Sequence, residues 1–313
     1  MKLVQFSTQE VKRHAGVLQG QQVIDVHDLL PAIGMDPALA QRYFESGIAV
    51  RSHGWMRWLQ AGPVGRAHFQ PQLQQALTDA NRRVYPVAEV RLHAPIDRPG
   101  KIIEIGRNYA DHAKETGVAA FEKPRIVFKM PSSICDPEAL VPIPHDIVKM
   151  DFEAELVVMI GDFVHKSPEI DALRHVAGYA ALNDLSAREL QFDINPAQTT
   201  FAKSMDGFCP LGPYMVTPDE VPDPQALDIE CWVNGQRMQQ ANTHDMIFSV
   251  ARLIHYTSHY MTLEPGDLIA TGTPAGVGAF RQPPVWLRAG DRVEVSVQGL
   301  GTLRTYIADR DDD

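Results

Sequence analysis

Cysteine is scarce in this chain: three among 313 residues, at Cys135, Cys209 and Cys231, with no CxxC spacing. An odd, scattered set excludes a disulfide framework and reads as reduced thiols. No apolar run reaches the roughly 18 residues of a membrane span. The longest, LVVMIGDFV, is strand-sized and broken by Gly161 and Asp162. The opening MKLVQFSTQEVKRHAG lacks an apolar h-region, so no signal peptide is expected. Positive charge is also short: 29 Lys and Arg against 39 Asp and Glu leave a net −10. That balance disfavours nucleic acid or an anionic membrane surface as the main partner. The expectation is a soluble cytoplasmic protein in which any anionic substrate meets a local cluster of Arg and Lys.

What is present is an ordinary globular composition, 44% hydrophobic and 22% charged. The length suits one large domain or two unequal ones. Residues 1–50 carry short β-like runs, KLVQF, HAGVLQG and QQVIDV, with Gly20 in a turn. Residues 54–85 predict helix, from WMRWLQ and PQLQQALTDANRR, which have spaced apolar positions and few breakers. Proline and charge thicken around PVAEVRLHAPIDRPGK. A boundary there divides a small N-terminal domain, 1–95, from a larger one, 96–313. Beyond it KIIEIG, RIVFKM, ELVVMIG, HVAGYAALND, DIECWVNGQ, DLIATGTP and DRVEVSVQGLGTLRTYI read as strands, with Asn234–Gly235 as a hairpin turn. SVARLIHYTSHYM is the clearest amphipathic helix. Many strands and few helices predict an α+β or mainly-β roll rather than a doubly wound sheet. The final ADRDDD reads as a solvated acidic tail.

Five stretches carry chemistry. In MDFEAELVVMIG (150–161), Asp151, Glu153 and Glu155 alternate, so in one strand they share a face. An exposed edge face accounts for that pattern by itself, but LVVMIG is apolar on both sides and enters a core. Carboxylates at the mouth of a buried strand are tolerable where a cation holds them. Oxygen ligands without Cys or paired His point to Mg²⁺, Mn²⁺ or Ca²⁺ rather than Zn²⁺.

In LNDLSARELQ, Asp184, Arg188 and Gln191 align on one side of a helix beginning near Asp184. An N-cap Asp beside a surface Arg is the plainer alternative. In EIGRNYADHAKETG, His112 and Glu115 are three apart, close enough on one helical turn for the carboxylate to orient the imidazole as a general base. Gly106 and Gly117 bracket this segment as they would a mobile lid. Finally, FAKSMDGFCPLGP carries Lys203 and IATGTPAGVG places Thr273 among glycines. The second loop matches neither a phosphate loop nor a dinucleotide fingerprint. It reads as amides and a hydroxyl offered to a small carboxylate, or as a plain turn.

Taken in order, GRNYADHAKE, FEAEL, NDLSARELQ, FAKSMDGFCPLGP and LEPGDLIATGTPAGVG resemble the fumarylacetoacetate hydrolase superfamily over roughly residues 100–308. The resemblance implies a mixed β-sandwich roll beside a small N-terminal β-rich domain, assembled as a homodimer. It implies one Mg²⁺ or Mn²⁺, with Ca²⁺ a possible substitute in a crystal. It assigns the metal to Glu153, Glu155 and Asp184, and the base to His112 with Glu115. Charge stabilisation falls on Lys203, and substrate contacts fall on Arg107, Tyr109, Lys129, Arg188, Gln191 and Thr273. Asp151 lies outside the implied ligand set and is expected to support the site from behind.

The implied activity is hydrolysis of a C–C bond in a 2,4-dioxo acid of acylpyruvate or fumarylpyruvate type. Decarboxylation of an oxaloacetate-like acid and isomerisation of a muconate-type diacid are the alternatives on the same site. A metal-binding protein without turnover is the alternative from another class. Substrate choice is expected to lie in TGVAAFEKPR, after Glu115, and in the N-terminal domain.

Overall fold

The computed structural model describes residues 1–51, 54–117 and 121–309. At its centre the strand Ala154–Ile160 is buried along its whole length. Successive side chains of a strand point to opposite faces. Leu156, Val158 and Ile160 enter one hydrophobic cluster, and Val157 and Met159 enter another. LVVMI is apolar without alternation because both of its faces are covered.

This strand lies inside a 12-stranded sheet. Val176–Asn183 and Leu268–Ala270 flank it, both antiparallel. Past Leu268–Ala270 come Ile102–Gly106, in parallel, and then Arg125–Lys129. On the other side Cys209–Val216 joins Val176–Asn183. Lys2–Ser7 then pairs with Cys209–Val216 through Lys2↔Val216 and Leu3↔Met215. His14–Gln19 and Gln22–Asp25 extend the same sheet outward.

Each face of the sheet has its own cover. A five-stranded sheet runs in the order Gln236–Asn242, Asp228–Val233, Arg292–Val297, Gly301–Ala308, Ala139–Pro142. Its Cys231, Val293, Val295 and Leu303 fill the cluster that holds Leu156 and Val158. The helices Gly54–Gln60 and Gly62–Thr78 send Trp55, Leu59, Phe69 and Leu73 into the cluster of Val157 and Met159. Trp55 is fully buried, and its indole N–H donates to the Val4 carbonyl at 2.7 Å. The α+β sandwich expected from the sequence is the observed architecture.

Several local expectations need correction. Pro37–Ser46 is helical, where only short strands were expected. Asp36 caps it by accepting from the Ala38 and Leu39 amides, and left-handed Gly47 closes it. The helix expected over 54–85 ends at Thr78 and gives way to the strand Val84–Pro86. MDFEAEL is not one strand: Met150–Asp151 pairs with Ser186–Ala187 as a short ribbon, and the long strand starts at Ala154. The helix expected from Asp184 is replaced by Ser186–Ala187 and a π-helical turn, Glu189–Asp193.

The amphipathic helix Val250–Tyr260 is as expected, with Ser249 as its cap. All three cysteines are free. Among the described residues no helix is long and apolar enough to cross a membrane. Residues 118–120 of the expected specificity segment and 310–313 of the acidic tail lie outside the described residues.

Candidate active site and metal centre

Strand register assembles the acids. Ala154 pairs with Asn183, and just beyond that pair the Asp184 amide donates to the Glu153 carbonyl at 2.8 Å. The start of one strand and the end of its neighbour thus deliver Glu153, Glu155 and Asp184 to one point. One oxygen from each carboxylate lies within 4.8 Å of the others, and all three residues are buried. Glu104, from Ile102–Gly106, lines the same cavity.

The cations at the floor of this cavity are held by its acids. Lys203 donates to Glu153 at 2.9 Å, to Asp184, and to the Ser186 hydroxyl at 3.0 Å. An ammonium has three protons, so none is left over. Arg188 donates from Nη2 to Glu153 at 2.6 Å, from Nε to Asp151 at 2.8 Å and from Nη1 to Gln191 at 2.6 Å. Lys129 donates to Asp184 at 2.5 Å and to the Leu185 carbonyl at 3.2 Å.

The carboxylates fall into two groups. Burial pushes Glu153 up, but the charges of Lys203 and Arg188 outweigh it and hold this carboxyl well below its usual range. Among the described residues Glu155 accepts only the Gly272 amide, at 2.9 Å. Its burial, then the charges of Asp184 and Glu153, push it well above the usual range. Among the described residues Glu104 has no hydrogen-bond partner on either oxygen, and Lys129 stands 3.7 Å away. Burial and the charge of Asp184 push it up to about 8.

With Asp151 included, five buried carboxylates face three buried cations. With all five ionised, the excess of two negative charges is what a divalent cation would neutralise. A donor set of carboxylate oxygens without thiolate or imidazole suits Mg²⁺ or Mn²⁺. On charge and on donor chemistry the residues present fit such an ion.

Beside the acids, the short helix Ala110–Glu115 presents His112 to the cavity. Its Nδ1 pairs with Glu115 at 2.7 Å, and the other Glu115 oxygen accepts the Gly276 amide at 3.0 Å. Glu115 is therefore held at both oxygens and orients the ring, which leaves Nε2 for the cavity. Phe280 packs edge-on to His112, with centroids 6.2 Å apart.

Asp151 supports the site without joining the triad. Beyond Arg188, it accepts the Phe152 and Gly278 amides on Oδ1, at 2.9 and 2.7 Å, and the Ala279 amide on Oδ2 at 3.0 Å. A Cβ at residue 278 would stand 1.9 Å from the Val285 carbonyl oxygen, so only glycine brings this amide so close. Gly272, at φ +98°, is required in the same way: a Cβ there would meet the Asn108 Cβ at 2.7 Å.

Arg107, Arg188, Gln191, Lys203 and Thr273 line the cavity with His112 and the metal triad. Three other expectations change. Tyr109 packs in the core with its hydroxyl buried and unpartnered, off the cavity wall. Lys129 sits beneath the acids and holds Asp184 instead of facing a substrate. Asp184, Arg188 and Gln191 do not share a helix face: the π-helical turn joins Arg188 to Gln191, while Asp184 turns to the lysines. The Thr273 hydroxyl is occupied too, donating to the Ala154 carbonyl at 2.9 Å and accepting from Gln239 at 2.8 Å.

Sequence reasoning missed Glu104, Arg125 and Phe280, all on the cavity wall. Glu104 had a signal, a lone acid inside the apolar run KIIEIG. Arg125 and Phe280 had none.

The family described as fumarylacetoacetate (FAA) hydrolase C-terminal matches residues 101–308. The oxaloacetate tautomerase FAHD2B, mitochondrial, of Bos taurus is 39% identical over 306 residues, covering 97% of this chain and 90% of its own length. Among solved structures, maleylpyruvate hydrolase from Sphingobium sp. SYK-6, in complex with manganese (II) ion and pyruvate, superposes with a TM-score of 0.72. It is 29% identical, and the match covers 99% of this chain and 100% of that one. A 5-carboxymethyl-2-hydroxymuconate delta-isomerase from Mycobacterium smegmatis also matches with a TM-score of 0.72 and 29% identity, over 99% and 100% of the two chains.

Proposed function

The chain belongs to the fumarylacetoacetate hydrolase family, and from that premise we propose a metal-dependent enzyme that interconverts the keto and enol forms of a small 2-oxo acid. The observation that carries this reading is the His112 imidazole, aimed by Glu115 at 2.7 Å beside a buried carboxylate triad. The 39% identity to an oxaloacetate tautomerase along almost the whole chain supports it.

Glu153, Glu155 and Asp184 would hold Mg²⁺ or Mn²⁺. When bound, such an ion supplies Lewis-acid stabilisation of the negative charge that grows on a 2-oxo acid's oxygens. The chain's own residues handle the proton. His112 takes it at Nε2 from the carbon beside the keto group. The electrons of that C–H bond become the C=C bond of the enol, and His112 hands the same proton on to the former keto oxygen. Glu115 steadies the imidazolium that forms in between. Lys203 and Arg188 keep Glu153 ionised. Phe192 and Phe280 line the wall and shield this exchange from bulk water.

Hydrolytic C–C cleavage of a 2,4-dioxo acid, the activity expected from the sequence, is the second reading. There His112 would take its proton from a water attacking the distal carbonyl, and pyruvate would leave. Its support is the neighbouring maleylpyruvate hydrolase, described in complex with manganese (II) ion and pyruvate.

Product identification on Mn²⁺-loaded protein separates the readings. Enol oxaloacetate should be consumed as the keto form appears, while an acylpyruvate should release little pyruvate. Pyruvate release at the higher specific rate would displace the first reading with the second. Binding of Mn²⁺ without turnover of either substrate, or of a muconate-type diacid, would sink both.

A further inference from the structure

The loop 272–281 donates to three acids around the cavity. The Gly272 amide donates to Glu155, the Gly276 amide to Glu115, and the Gly278 and Ala279 amides to Asp151. Two further anchors fix this loop from outside, and both use one irregularity in the strand Gln236–Asn242. Along its pairing with Asp228–Val233, Cys231 faces Gln239 and Trp232 faces Arg237, so Met238 has no strand partner. The extra residue breaks the alternation of faces, and Met238 and Gln239 are buried in succession.

Gln239 turns toward the metal triad. Its carbonyl oxygen accepts the Ala154 amide at 2.9 Å, and its nitrogen donates to the Thr273 hydroxyl and the Pro274 carbonyl, each at 2.8 Å. Arg281 takes the other end of the loop. Its Nη2 donates to the Met238 carbonyl at the bulge, and its Nε donates to the Gly276 carbonyl at 3.1 Å. Gly276 lies directly on that strand: at φ +105°, a Cβ there would stand 2.2 Å from the Met238 carbonyl oxygen. One guanidinium therefore pins the glycine to the strand by its carbonyl. The amide of the same glycine donates to Glu115 at 3.0 Å.

Glu115 is the last residue of the helix Ala110–Glu115. Its carboxylate meets His112 on one oxygen and the Gly276 amide on the other. We propose that Arg281 is a positioning residue for the base: it holds Gly276 on the strand, Gly276 holds Glu115, and Glu115 aims His112. This rests on the reading of His112 and Glu115 as the base pair, and it serves tautomerisation and hydrolysis alike. Gln239 steadies the metal side of the loop and Arg281 the base side. Loss of Arg281 should therefore slow the proton step without weakening the ion or the substrate.

The test compares full-length Arg281→Ala, Arg281→Lys and Arg281→Met with the parent, loaded with Mn²⁺ and assayed on enol oxaloacetate and on an acylpyruvate. Arg281→Ala should lower kcat about 10–100-fold, the scale of a misplaced catalytic group, with KM and Mn²⁺ affinity unchanged. Arg281→Lys should recover part of that loss and Arg281→Met none, since only lysine restores a donor. Should the alanine variant melt early, these two, which keep a long stem, carry the comparison. In a Glu115→Ala background the loss from Arg281→Ala should disappear, because the two residues act in one chain of contacts. In the Mg²⁺-loaded protein the proton between His112 Nδ1 and Glu115 should give a downfield NMR resonance, absent from His112→Ala and shifted or broadened in Arg281→Ala. Losses that add fully across the two positions, equal rates in the lysine and methionine variants, a Mn²⁺ affinity that falls with kcat, or an unmoved resonance overturn the positioning role and leave His112 as the base. Parental turnover in His112→Ala, or no turnover by the parent, overturns the base reading and the role of Arg281 with it.

Discussion

Asp151 and Arg188 meet at 2.8 Å, and the same guanidinium reaches Glu153 at 2.6 Å. One arginine therefore ties an acid outside the metal triad to an acid inside it. Asp151 is also the acceptor for the Gly278 and Ala279 amides. It fastens the loop that carries Phe280 to the floor of the cavity.

Asp151→Asn should weaken Mn²⁺ binding and activity together, although residue 151 would touch neither ion nor substrate. Loss of such a supporting acid typically costs about 10–100-fold in metal affinity. Calorimetric Mn²⁺ titration checks this, and an unchanged affinity would refute the linkage through Arg188.

Glu155→Gln should make the metal-free protein more stable and abolish its response to Mn²⁺. Glu155 is buried and has no ion-pair partner among the described residues, so removing its charge relieves repulsion of about 1 kcal/mol or more. In the unaltered protein, Mn²⁺ at 100 times its Kd should stabilise the fold by about 2.7 kcal/mol. Thermal melts with and without the ion measure both. A variant that melts lower than the parent in chelator, or still gains from Mn²⁺, removes Glu155 from the ligand set.

His112→Ala should slow turnover by about 10²–10⁴-fold, the usual worth of a positioned general base. Mn²⁺ affinity should not move, since His112 lies outside the triad. Glu115→Gln should lose less, because it removes the orienting charge but not the base. Turnover that survives His112→Ala would place the base elsewhere.

Acid stability should depend on Asp136. This carboxylate accepts His93 at 2.7 Å and the Ala94 amide at 3.0 Å, with Arg91 at 3.5 Å and Arg13 at 3.7 Å. Burial alone would raise its pKa, but these donors and charges outweigh it and hold it below the usual carboxylate range. A carboxyl with a lower pKa folded than unfolded adds stability that is complete above its unfolded value of about 3.9. That stability is lost as pH falls through the folded value. Asp136→Asn should therefore cost on the order of 1 kcal/mol at pH 7, given the partial exposure of the site. Chemical denaturation should show the gap between variant and parent closing below pH 4. A gap of constant size from pH 7 to pH 3 would show that charge is not the cause.

Much of the site could be read locally. The His112–Glu115 pair is three residues apart on one turn, so its hydrogen bond follows from helix geometry alone. The ExE spacing put Glu153 and Glu155 on one side, and the apolar run behind them announced burial. The helix Pro37–Ser46 carried its own signals, an Asp cap, a proline in the first turn and a closing glycine, and was still missed among the shorter β-like runs. The break between Asp151 and Ala154 carried no such signal. It depends on pairing with Ser186–Ala187, more than thirty residues away.

The chain by itself determined the class of fold, the buried carboxylate triad as a chemical type, and the His112–Glu115 pair. Those rest on spacing along one segment, where local geometry leaves little choice. The tertiary structure alone decided how charge is shared. It set Lys129 beneath Asp184, left Glu155 without an ion-pair partner among the described residues, and stood Arg125 beside Arg107 on the cavity wall. The first two of these relations join strands far apart in sequence. The pairing register that aligns them is set by burial on both faces of Ala154–Ile160, because a slip of one residue would exchange its two apolar faces and move Glu153 and Glu155 out of the cavity.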